Sequence, residues 1–377
     1  MTTTPRLGLL LLAVAPLLLA QCQSDTASLQ PLAWVKVAGP TSERAMMDPG
    51  AVGDFDQGGT FTERAIPDGA AVTLYYGGAD TTGACAGINA AHWRIGRATS
   101  ADGLHFDKQP GPYTGGAILD LGDPGRFDDY LSYRPFVLHD GALWRMWYNG
   151  SRKPFNCPSG TLADDRRIGY AESNDGVTWT RRYDLGQAAD GSALPLGAPG
   201  AIDAQQVGYA WILKDGEQYK LYYSANDSNN FWRVRLAVST DAHTWTKVQG
   251  KQFGGAILDV GPTGAFDAFC AYQPSVVKER DQLYRMWYRG CETAGTFGGP
   301  SRGTIGYAES NDGITWVKIP QPTATGAALL QGATGDFDES GLTTPSVYLE
   351  GSTWTMFYAG FNHLGHYRIG KAQAVQP

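Results

Sequence analysis

The sequence predicts an all-β protein, a five-bladed β-propeller whose blades each contain four antiparallel strands. Three observations predict it: a segment recurs five times, each copy holds short strands separated by turns, and a strand near the N-terminus supplies what the last copy lacks. The composition agrees, with 49 glycines, 14 Phe, 19 Tyr and 11 Trp among 377 residues. Many tight turns and much buried aromatic surface are typical of such a fold.

The same composition excludes several other classes of protein. Charged residues make up 18% of the chain and the net charge is −7. A disordered chain would combine low hydrophobicity with a higher net charge, and a coiled coil would be rich in Ala, Glu, Lys and Leu. A protein that binds duplex nucleic acid would carry basic clusters, and the sequence shows none. We therefore expect no nucleic-acid partner.

The repeat is clearest in its second and fourth copies. Residues 127–150 read FDDYLSYRPFVLHDGALWRMWYNG, and residues 266–290 read FDAFCAYQPSVVKERDQLYRMWYRG. Each is followed, after a variable loop, by RIGYAESNDGVTW (167–179) or TIGYAESNDGITW (304–316). Every copy contains one marker aspartate near its start, and these are Asp56, Asp128, Asp203, Asp267 and Asp338.

Within the second copy, alternating aromatic residues and turn dipeptides predict four strands. These are residues 134–138, 143–148, 168–173 and 177–182. His139-Asp140-Gly141 and Asn174-Asp175-Gly176 supply the hairpin turns, because Asn, Asp and Gly tolerate positive φ. Each copy therefore forms one antiparallel blade.

The last copy ends after its third strand. Residues 32–37 (LAWVKV) resemble a fourth strand and would complete the fifth blade, so that one domain covers residues 32–377. A solenoid is the alternative, but it does not explain why an N-terminal strand matches a C-terminal gap. This match favours a closed propeller.

Residues 1–22 predict a signal peptide. Leu7 to Ala20 form a run of 14 apolar residues, too short to span a bilayer. The run ends in Leu19-Ala20-Gln21-Cys22, which resembles a bacterial lipobox, although Gln21 stands where Gly, Ala or Ser is usual. We expect Cys22 to be lipidated, residues 23–31 to form a tether, and the protein to lie in the bacterial cell envelope. The alternative is an ordinary secretory signal.

The order of the strands predicts which face of the propeller functions. Short, regular turns lie on one face, and the variable loops between second and third strands lie on the other, where binding is expected. Cys85 and Cys157 fall in such loops of adjacent copies, and Cys270 and Cys291 fall near the same face of the fourth copy. Because exported cysteines tend to pair, we expect disulfides Cys85–Cys157 and Cys270–Cys291.

The GYAESNDGITW and PSVV…YRMWYRG segments resemble the five-bladed propellers of the arabinanase, levansucrase and invertase glycosidases. The resemblance implies a protein that acts on a poly- or oligosaccharide in an axial funnel. It also implies two or three carboxylates, because glycosidic cleavage passes between an acid and a second carboxyl group. No P-loop, serine elbow or dinucleotide fingerprint is present, and we expect neither a cofactor nor a metal.

In those enzymes the acids often lie at the start of the innermost strand. The equivalent positions here hold no carboxylate; they are Thr62, Arg134, Tyr209, Gln273 and Thr344. The nearest acid is Glu63, which becomes the first catalytic candidate. Asp128, Asp129 and Asp203 are the next candidates, although an aspartate that recurs in every copy more commonly caps a turn.

Other residues are candidates for binding the glycan. Arg134 could bind a carboxylate or sulfate on a sugar, or pair with a neighbouring acid. The remaining candidates would line the funnel or stand in the variable loops as sugar platforms, and they are Tyr133, Tyr209, Tyr272, Gln273, Trp93, Trp232 and His363. For the loop aromatics, packing against an adjacent loop is the alternative.

The leading hypothesis is an exported, lipid-anchored glycoside hydrolase, expected to be a monomer that contacts the membrane only through its anchor. The alternative is a glycan-binding or surface-scaffold lipoprotein without catalytic activity, which the missing inner-strand carboxylates favour. A propeller for protein interaction is a third hypothesis.

Overall fold

The computed structural model describes residue 1 and residues 31–83, 91–153, 165–293 and 303–375, except for the side chains of Thr62 and Glu63. The chain divides into a unit Met1–Pro31 and a unit Leu32–Pro377. In the second unit the described residues form twenty β-strands and three short 3-10 turns. None of the described residues belongs to a helix with the length and apolar character that crossing a bilayer requires.

The strands are arranged in three sheets, one of four strands and two of eight. Each eight-stranded sheet consists of two antiparallel groups of four strands, joined by a single parallel residue pair. This pair is Trp93 with Leu131 in one sheet and Trp232 with Cys270 in the other. The predicted four-stranded antiparallel repeat is therefore confirmed within the described residues. Closure of these groups into a five-bladed ring stays a prediction.

The first two groups are contiguous in the chain. The first contains β2 (Gly59–Asp68), β3 (Ala71–Gly83), β4 (Ala91–Ser100) and β5 (Asp107–Gln109). The second contains β6 (Leu131–Asp140), β7 (Leu143–Ser151), β8 (Arg167–Ser173) and β9 (Thr180–Arg181).

The next two groups follow the same order. The third contains β10 (Gln206–Asp215), β11 (Gln218–Asn226), β12 (Trp232–Ser239) and β13 (Thr246–Val248). The fourth contains β14 (Cys270–Arg280), β15 (Leu283–Cys291), β16 (Thr304–Ser310) and β17 (Val317–Lys318).

The last group joins the two ends of the described chain. It contains β18 (Gly341–Glu350), β19 (Thr353–Phe361), β20 (Tyr367–Val375) and the N-terminal β1 (Val35–Val37). Strand β1 pairs antiparallel with β20, with Val35 opposite Gln373 and Val37 opposite Lys371. The predicted N-terminal fourth strand is therefore present, and it is shorter than the predicted residues 32–37.

The outer strands of the first four groups are short because an aspartate of the preceding turn binds the backbone N–H groups just before them. In the second group, the Asp175 Oδ1 atom accepts hydrogen bonds from the backbone N–H groups of Val177 and Thr178 at 2.8 and 2.7 Å. These bonds lower the pKa of Asp175 to about 2. Strand β9 therefore begins at Thr180 rather than at the predicted Val177.

Every marker aspartate is buried and binds a tyrosine and a cation. Asp128 Oδ2 accepts hydrogen bonds from the Tyr148 hydroxyl at 2.7 Å and from Arg181 Nε at 2.8 Å. The equivalent trios are Asp56 with Tyr76 and Lys108, Asp203 with Tyr223 and Lys247, Asp267 with Tyr288 and Lys318, and Asp338 with Tyr358 and Lys36. Each trio ties the connector that enters a group to its second and outer strands.

A glycine six residues before each marker aspartate makes room for its carboxylate. A Cβ atom on Gly122 would lie 2.1 Å from Asp128 Oδ1, closer than any real contact. The same overlap, at 2.0 to 2.2 Å, recurs at Gly50, Gly197, Gly261 and Gly332. The repeat therefore requires glycine there for space rather than for backbone freedom.

Candidate functional site

The first strands of the groups share a β-bulge at the predicted inner-strand positions. In β6 the pairing shifts between Tyr133 and Phe136, so Arg134 lies at the irregularity. Arg134, Tyr209, Gln273 and Thr344 all have positive φ, from 47 to 60°. Left-handed backbone is costly for residues other than glycine and is retained where the surrounding structure requires it. The four residues come from four different groups and line one cavity.

This central cavity is small. Its lining also includes Pro135, Pro274 and Pro345, the residues that follow three of the bulge positions. Its free volume is about 20 Å³, which accommodates about one water molecule. Four of the five predicted inner-strand positions thus face a common space, but that space is too small for a sugar.

Glu63 occupies the corresponding bulge of the first group. Thr62 pairs with Tyr76 and Arg64 with Tyr75, which leaves Glu63 as the extra residue of β2. The structure describes its backbone and not its side chain. The catalytic role of Glu63 therefore stays a prediction.

Arginines and aromatic rings pack together next to the bulge positions. We call this set the central cluster, and its members are Phe61, Trp93, Tyr133, Arg134, Arg166, Tyr209, Trp232, Tyr272, Arg289 and Tyr367. The most exposed of them, Trp232, shows only 9% of its surface. The cluster therefore forms a buried layer that combines positive charge with aromatic surface.

The guanidinium groups of the cluster lie over tyrosine rings and bond tyrosine hydroxyls. Arg134 and Arg166 lie 5.0 and 4.6 Å from the centre of the Tyr209 ring. Arg166 Nε donates a hydrogen bond to the Tyr133 hydroxyl at 2.6 Å. Arg289 Nη1 donates to the Tyr272 hydroxyl at 2.8 Å. Such cation–π and hydrogen-bonding contacts hold the planar guanidinium groups in fixed orientations.

The rings of the cluster contact one another from different groups. Phe61 stacks on Tyr367 at 4.1 Å between ring centres, and Tyr209 meets Tyr272 edge to face at 5.3 Å. Burial raises the pKa of Tyr367 to about 12, against the opposing effect of Arg289 and Arg134. Both arginines therefore act on the same tyrosine, although they belong to different groups.

Trp93 and Trp232 do not lie in loops as predicted. Trp93 belongs to β4 and Trp232 to β12, and 2% and 9% of their surfaces are exposed. Both strands begin earlier than the repeat suggested, and the two rings pack within the central cluster, Trp93 against Phe61 and Trp232 against Tyr272. The prediction of exposed loop platforms is wrong, and any contact of these rings with sugar stays a prediction.

The candidate aspartates have partners within the protein. Asp128 and Asp203 are fully buried, and Asp203 Oδ2 accepts hydrogen bonds from Tyr223 and Lys247 at 3.1 and 2.8 Å. Asp129 is half-buried and accepts a hydrogen bond from the Gly125 backbone N–H at 2.7 Å. Asp129 therefore caps a turn, whereas Asp128 and Asp203 bind a tyrosine hydroxyl and a cation rather than the expected backbone N–H groups. The catalytic role of the three aspartates stays a prediction.

His363 lies in an exposed loop and pairs with a carboxylate. Its Nδ1 atom hydrogen-bonds Glu339 Oε1, and Glu339 also accepts a hydrogen bond from the Gly335 backbone N–H at 2.8 Å. The backbone hydrogen bond from Gly335 and the bond from His363 lower the pKa of Glu339 to about 2. In the described residues no set of three or more His, Cys, Asp or Glu side chains is arranged to hold a metal ion.

The predicted disulfide Cys270–Cys291 is confirmed. The two cysteines lie opposite each other at the ends of β14 and β15, with a Cα–Cα distance of 5.0 Å. They therefore belong to strands rather than to the connector and loop. The bridge packs with Tyr209, Trp232 and Tyr272 and so supports one side of the central cluster. Cys22, Cys85 and Cys157 lie outside the described residues.

Arg166 and Arg289 are members of the site that the sequence prediction missed. Arg166 stands where the other third strands carry Trp93, Trp232, Gly303 and Tyr367. Arg289 stands where the other second strands carry Gly77, Asn149, Ser224 and Ala359. Each is thus the one charged residue in its column of the repeat, and this signal was present in the sequence.

A larger pocket lies between the first and last groups. We call it the peripheral pocket; it has a volume of about 490 Å³ and is lined by Pro49, Gln57, Gly58, Asp80, Thr81, Leu364, Gly365, His366 and Arg368. Asp80 is held by Arg94 Nη1 at 3.0 Å and by the His92 backbone N–H at 3.0 Å. The volume of the peripheral pocket falls in the usual range of small-molecule sites.

Comparison with solved structures shows what fold the chain shares. A protein assigned as a glycosidase from Bacteroides thetaiotaomicron matches with a TM-score of 0.64 and 17% identity, covering 90% of this chain and 96% of that one. The β-1,2-mannobiose phosphorylase of Listeria innocua matches with a TM-score of 0.60 and 13% identity, covering 91% and 96%. The chain therefore has the propeller-like, all-β fold of glycoside hydrolases and phosphorylases.

Comparison of sequences gives one further relationship. An uncharacterized protein of Mycobacterium tuberculosis H37Rv is 27% identical over 242 residues, which cover 64% of this chain and 71% of the relative. No protein-family model matches the chain.

Proposed function

We propose that this protein is an exported enzyme that cleaves glycosidic bonds at the central cluster. The observation that carries the proposal is the cluster itself, where arginines and aromatic rings meet beside the bulged first strands. The fold shared with glycoside hydrolases and phosphorylases supports it. The proposal takes the four-stranded groups to be the blades of a closed five-bladed propeller.

The residues of the cluster suit the binding of a sugar. Aromatic rings can pack against the apolar faces of a pyranose or furanose, and guanidinium groups donate hydrogen bonds to its oxygens. Tyr133, Tyr209 and Tyr272 would supply rings and hydroxyls, and Arg134 and Gln273 would supply donors from the bulge positions. Entry of a sugar requires these buried side chains to separate, because the central cavity holds about one water molecule.

We assign the role of general acid to Glu63. It is the one carboxylate among the bulge residues and their immediate neighbours in the first strands. Hydrolysis requires a second carboxylate that activates water or forms the covalent intermediate. Asp129 is the candidate for this role, because it is half-buried in the connector, whereas Asp128 and Asp203 are fully buried.

The test is a screen of polysaccharides and aryl glycosides with the wild type and the Glu63→Gln variant, each with and without inorganic phosphate. We expect the wild type to release product, and the variant to lose about 100-fold or more of this activity while it still binds the glycan. Glu217→Gln, in an exposed turn between β10 and β11, is the matched control and should retain full activity. Product formed only with phosphate would indicate phosphorolysis instead of hydrolysis. Unchanged activity of Glu63→Gln would rule out the proposed acid.

A second candidate function is glycan binding without cleavage. The peripheral pocket favours it, since its volume of about 490 Å³ exceeds that of the central cavity. Binding of oligosaccharide by the wild type without any product, and loss of that binding in His366→Ala, would support this function. Arg44→Gln, outside the pocket lining and exposed, is the control.

A further inference from the structure

Gln273 connects the third, fourth and fifth groups through its backbone and its side chain. Its backbone N–H donates a hydrogen bond to Ser224 Oγ of the third group at 2.9 Å. Its Oε1 atom accepts a hydrogen bond from the Thr344 backbone N–H of the fifth group at 3.0 Å, and another from the Thr343 hydroxyl. Because a backbone N–H can only donate, these contacts fix which end of the amide is oxygen and leave Nε2 as the other end.

Two polar atoms at this place have no hydrogen-bond partner in the part of the chain that the structure describes. They are Gln273 Nε2 and Thr344 Oγ1. The two residues are buried, with 3% and 4% of their surfaces exposed. Nearly all buried polar groups in folded proteins have a partner, because burial removes their hydrogen bonds to solvent. Two such atoms side by side therefore indicate a bound molecule between them.

Gln273 and Thr344 both line the central cavity. The free volume of about 20 Å³ exceeds the roughly 10 to 15 Å³ that one water molecule needs. The hydrogen bond from the Thr344 N–H to Gln273 Oε1 holds the amide against Thr344, so that one small molecule can reach both Nε2 and Oγ1. The cavity therefore has the size and the polar partners of a site for a single water.

We propose that the central cavity binds one ordered water molecule, which accepts a hydrogen bond from Gln273 Nε2 and donates one to Thr344 Oγ1. A water suits this pair because the amide nitrogen only donates, whereas the threonine hydroxyl also accepts. A cation would face the amide hydrogens. The inference goes beyond the proposed function, since it concerns the free protein: the Gln273 donor that we assign to the glycan bonds a water until a glycan is bound.

High-resolution crystallography of the free protein tests the site directly. We expect one density peak about 2.7 to 3.2 Å from both Gln273 Nε2 and Thr344 Oγ1. In solution we expect a nuclear Overhauser effect between water and the side-chain amide protons of Gln273. A cavity without such a peak, or a peak with the anomalous signal of chloride, would overturn the proposal.

Two threonine variants distinguish a hydroxyl that bonds a water from one that has no partner. Thr344→Val removes one partner of the water, and because both residues are β-branched the strain at φ 47° is unchanged. We expect its folding equilibrium constant to fall about fivefold and the density peak to lose occupancy.

The matched control is Thr304→Val. The Thr304 hydroxyl is also buried and without a hydrogen-bond partner among the described residues, but Thr304 does not line the central cavity. Removing an unsatisfied hydroxyl should leave stability unchanged or raise it. Equal effects of the two substitutions, or full occupancy of the peak in Thr344→Val, would contradict the proposal.

The outcomes separate this inference from the proposed function. If Thr344→Val fails to fold, the density and the nuclear Overhauser effect of the wild type still decide the question. None of these measurements requires a glycan, so a missing water leaves the enzyme assignment intact. A failure to cleave any glycan, in turn, leaves the water site intact.

Discussion

The Nζ atom of Lys36 lies 2.5 Å from the Asp338 Oδ2 atom, although the two residues are 302 positions apart in the chain. The same oxygen accepts a hydrogen bond from the Tyr358 hydroxyl at 2.9 Å. The trio matches Asp267 with Tyr288 and Lys318, where all three residues come from one repeat. The N-terminal strand β1 thus completes the last group with the same contacts that every other group makes internally.

Replacement of Lys36 should destabilise the protein. In Lys36→Met the fully buried carboxylate of Asp338 loses its cation, which should lower the free energy of unfolding by about 3 kcal/mol. Urea unfolding followed by tryptophan fluorescence measures this. Arg44→Gln removes the exposed partner of Asp336 and should cost less than about 1 kcal/mol. Equal losses in the two variants would mean that the N-terminal strand is not held by this pair.

The disulfide Cys270–Cys291 should contribute measurably to stability. It closes a segment with a sequence separation of 21, for which restriction of the unfolded chain gives about 3 kcal/mol. We expect Cys270→Ser/Cys291→Ser to lower the urea midpoint by the corresponding amount.

Peptide mapping without reduction should recover the Cys270–Cys291 peptide and, as predicted from the sequence, a Cys85–Cys157 peptide. A Cys157–Cys291 peptide would contradict both pairings.

The turns at Asp175 and Asp312 should make stability depend on pH in acid. Hydrogen bonds from Thr178 and Val177 lower the pKa of Asp175 to about 2, and hydrogen bonds from Thr315 and Ile314 outweigh burial to lower that of Asp312 to about 2. A lowered folded-state pKa means that the ionised form favours folding. The stabilisation is therefore complete above the ordinary value of 3.8 and is lost as the pH falls to about 2.

A double variant tests that dependence. Asp175→Asn/Asp312→Asn should be less stable than the wild type at neutral pH, and the difference should shrink as the pH falls through the range from 3.8 to about 2. Urea unfolding at a series of pH values gives both curves. Asp68→Asn, at the exposed end of β2, is the control. A difference that is constant across this range would exclude the two carboxylates as its source.

Lipidation at Cys22 can be tested directly in a bacterial host. We expect the full chain to incorporate labelled fatty acid and to fractionate with membranes. Cys22→Ser should lose both properties, since no further anchor is expected from the sequence. Glu217→Gln, in the exposed turn between β10 and β11, keeps the leader intact and serves as the control. A soluble, unlabelled wild-type protein of reduced mass would instead favour the ordinary secretory signal.

The strands and turns could be predicted from the sequence because their signals are local. Asn174-Asp175-Gly176 marks a turn wherever it lies, and alternating aromatics mark strand β7. The Cys270–Cys291 bridge was also predictable, because both cysteines fall in one copy near the same face. The early start of β4 and β12 could not be predicted, because a tryptophan beside a variable loop is compatible with a loop as well as with a strand.

The central cluster could be predicted only in part. Arg134 and Tyr209 could be predicted because they stand in one aligned column of the repeat. Arg289 lies in β15 directly opposite Tyr272 of β14, and Arg166, just before β8, bonds Tyr133 of the same repeat. These contacts depend on the register of the strands, which a comparison of the repeat columns does not specify. The glycines before the marker aspartates were missed because their constraint is the volume of a carboxylate, not a turn.

The pairing of β1 with β20 has a consequence for the order in which the molecule assembles. Val35 is made long before its partner Gln373, so β1 has no partner strand until β20 has been made. Contacts of such wide separation slow folding and prolong the exposure of an unpaired edge. We therefore expect the final, rate-limiting event of folding to be the capture of β1, after the other sheets have formed.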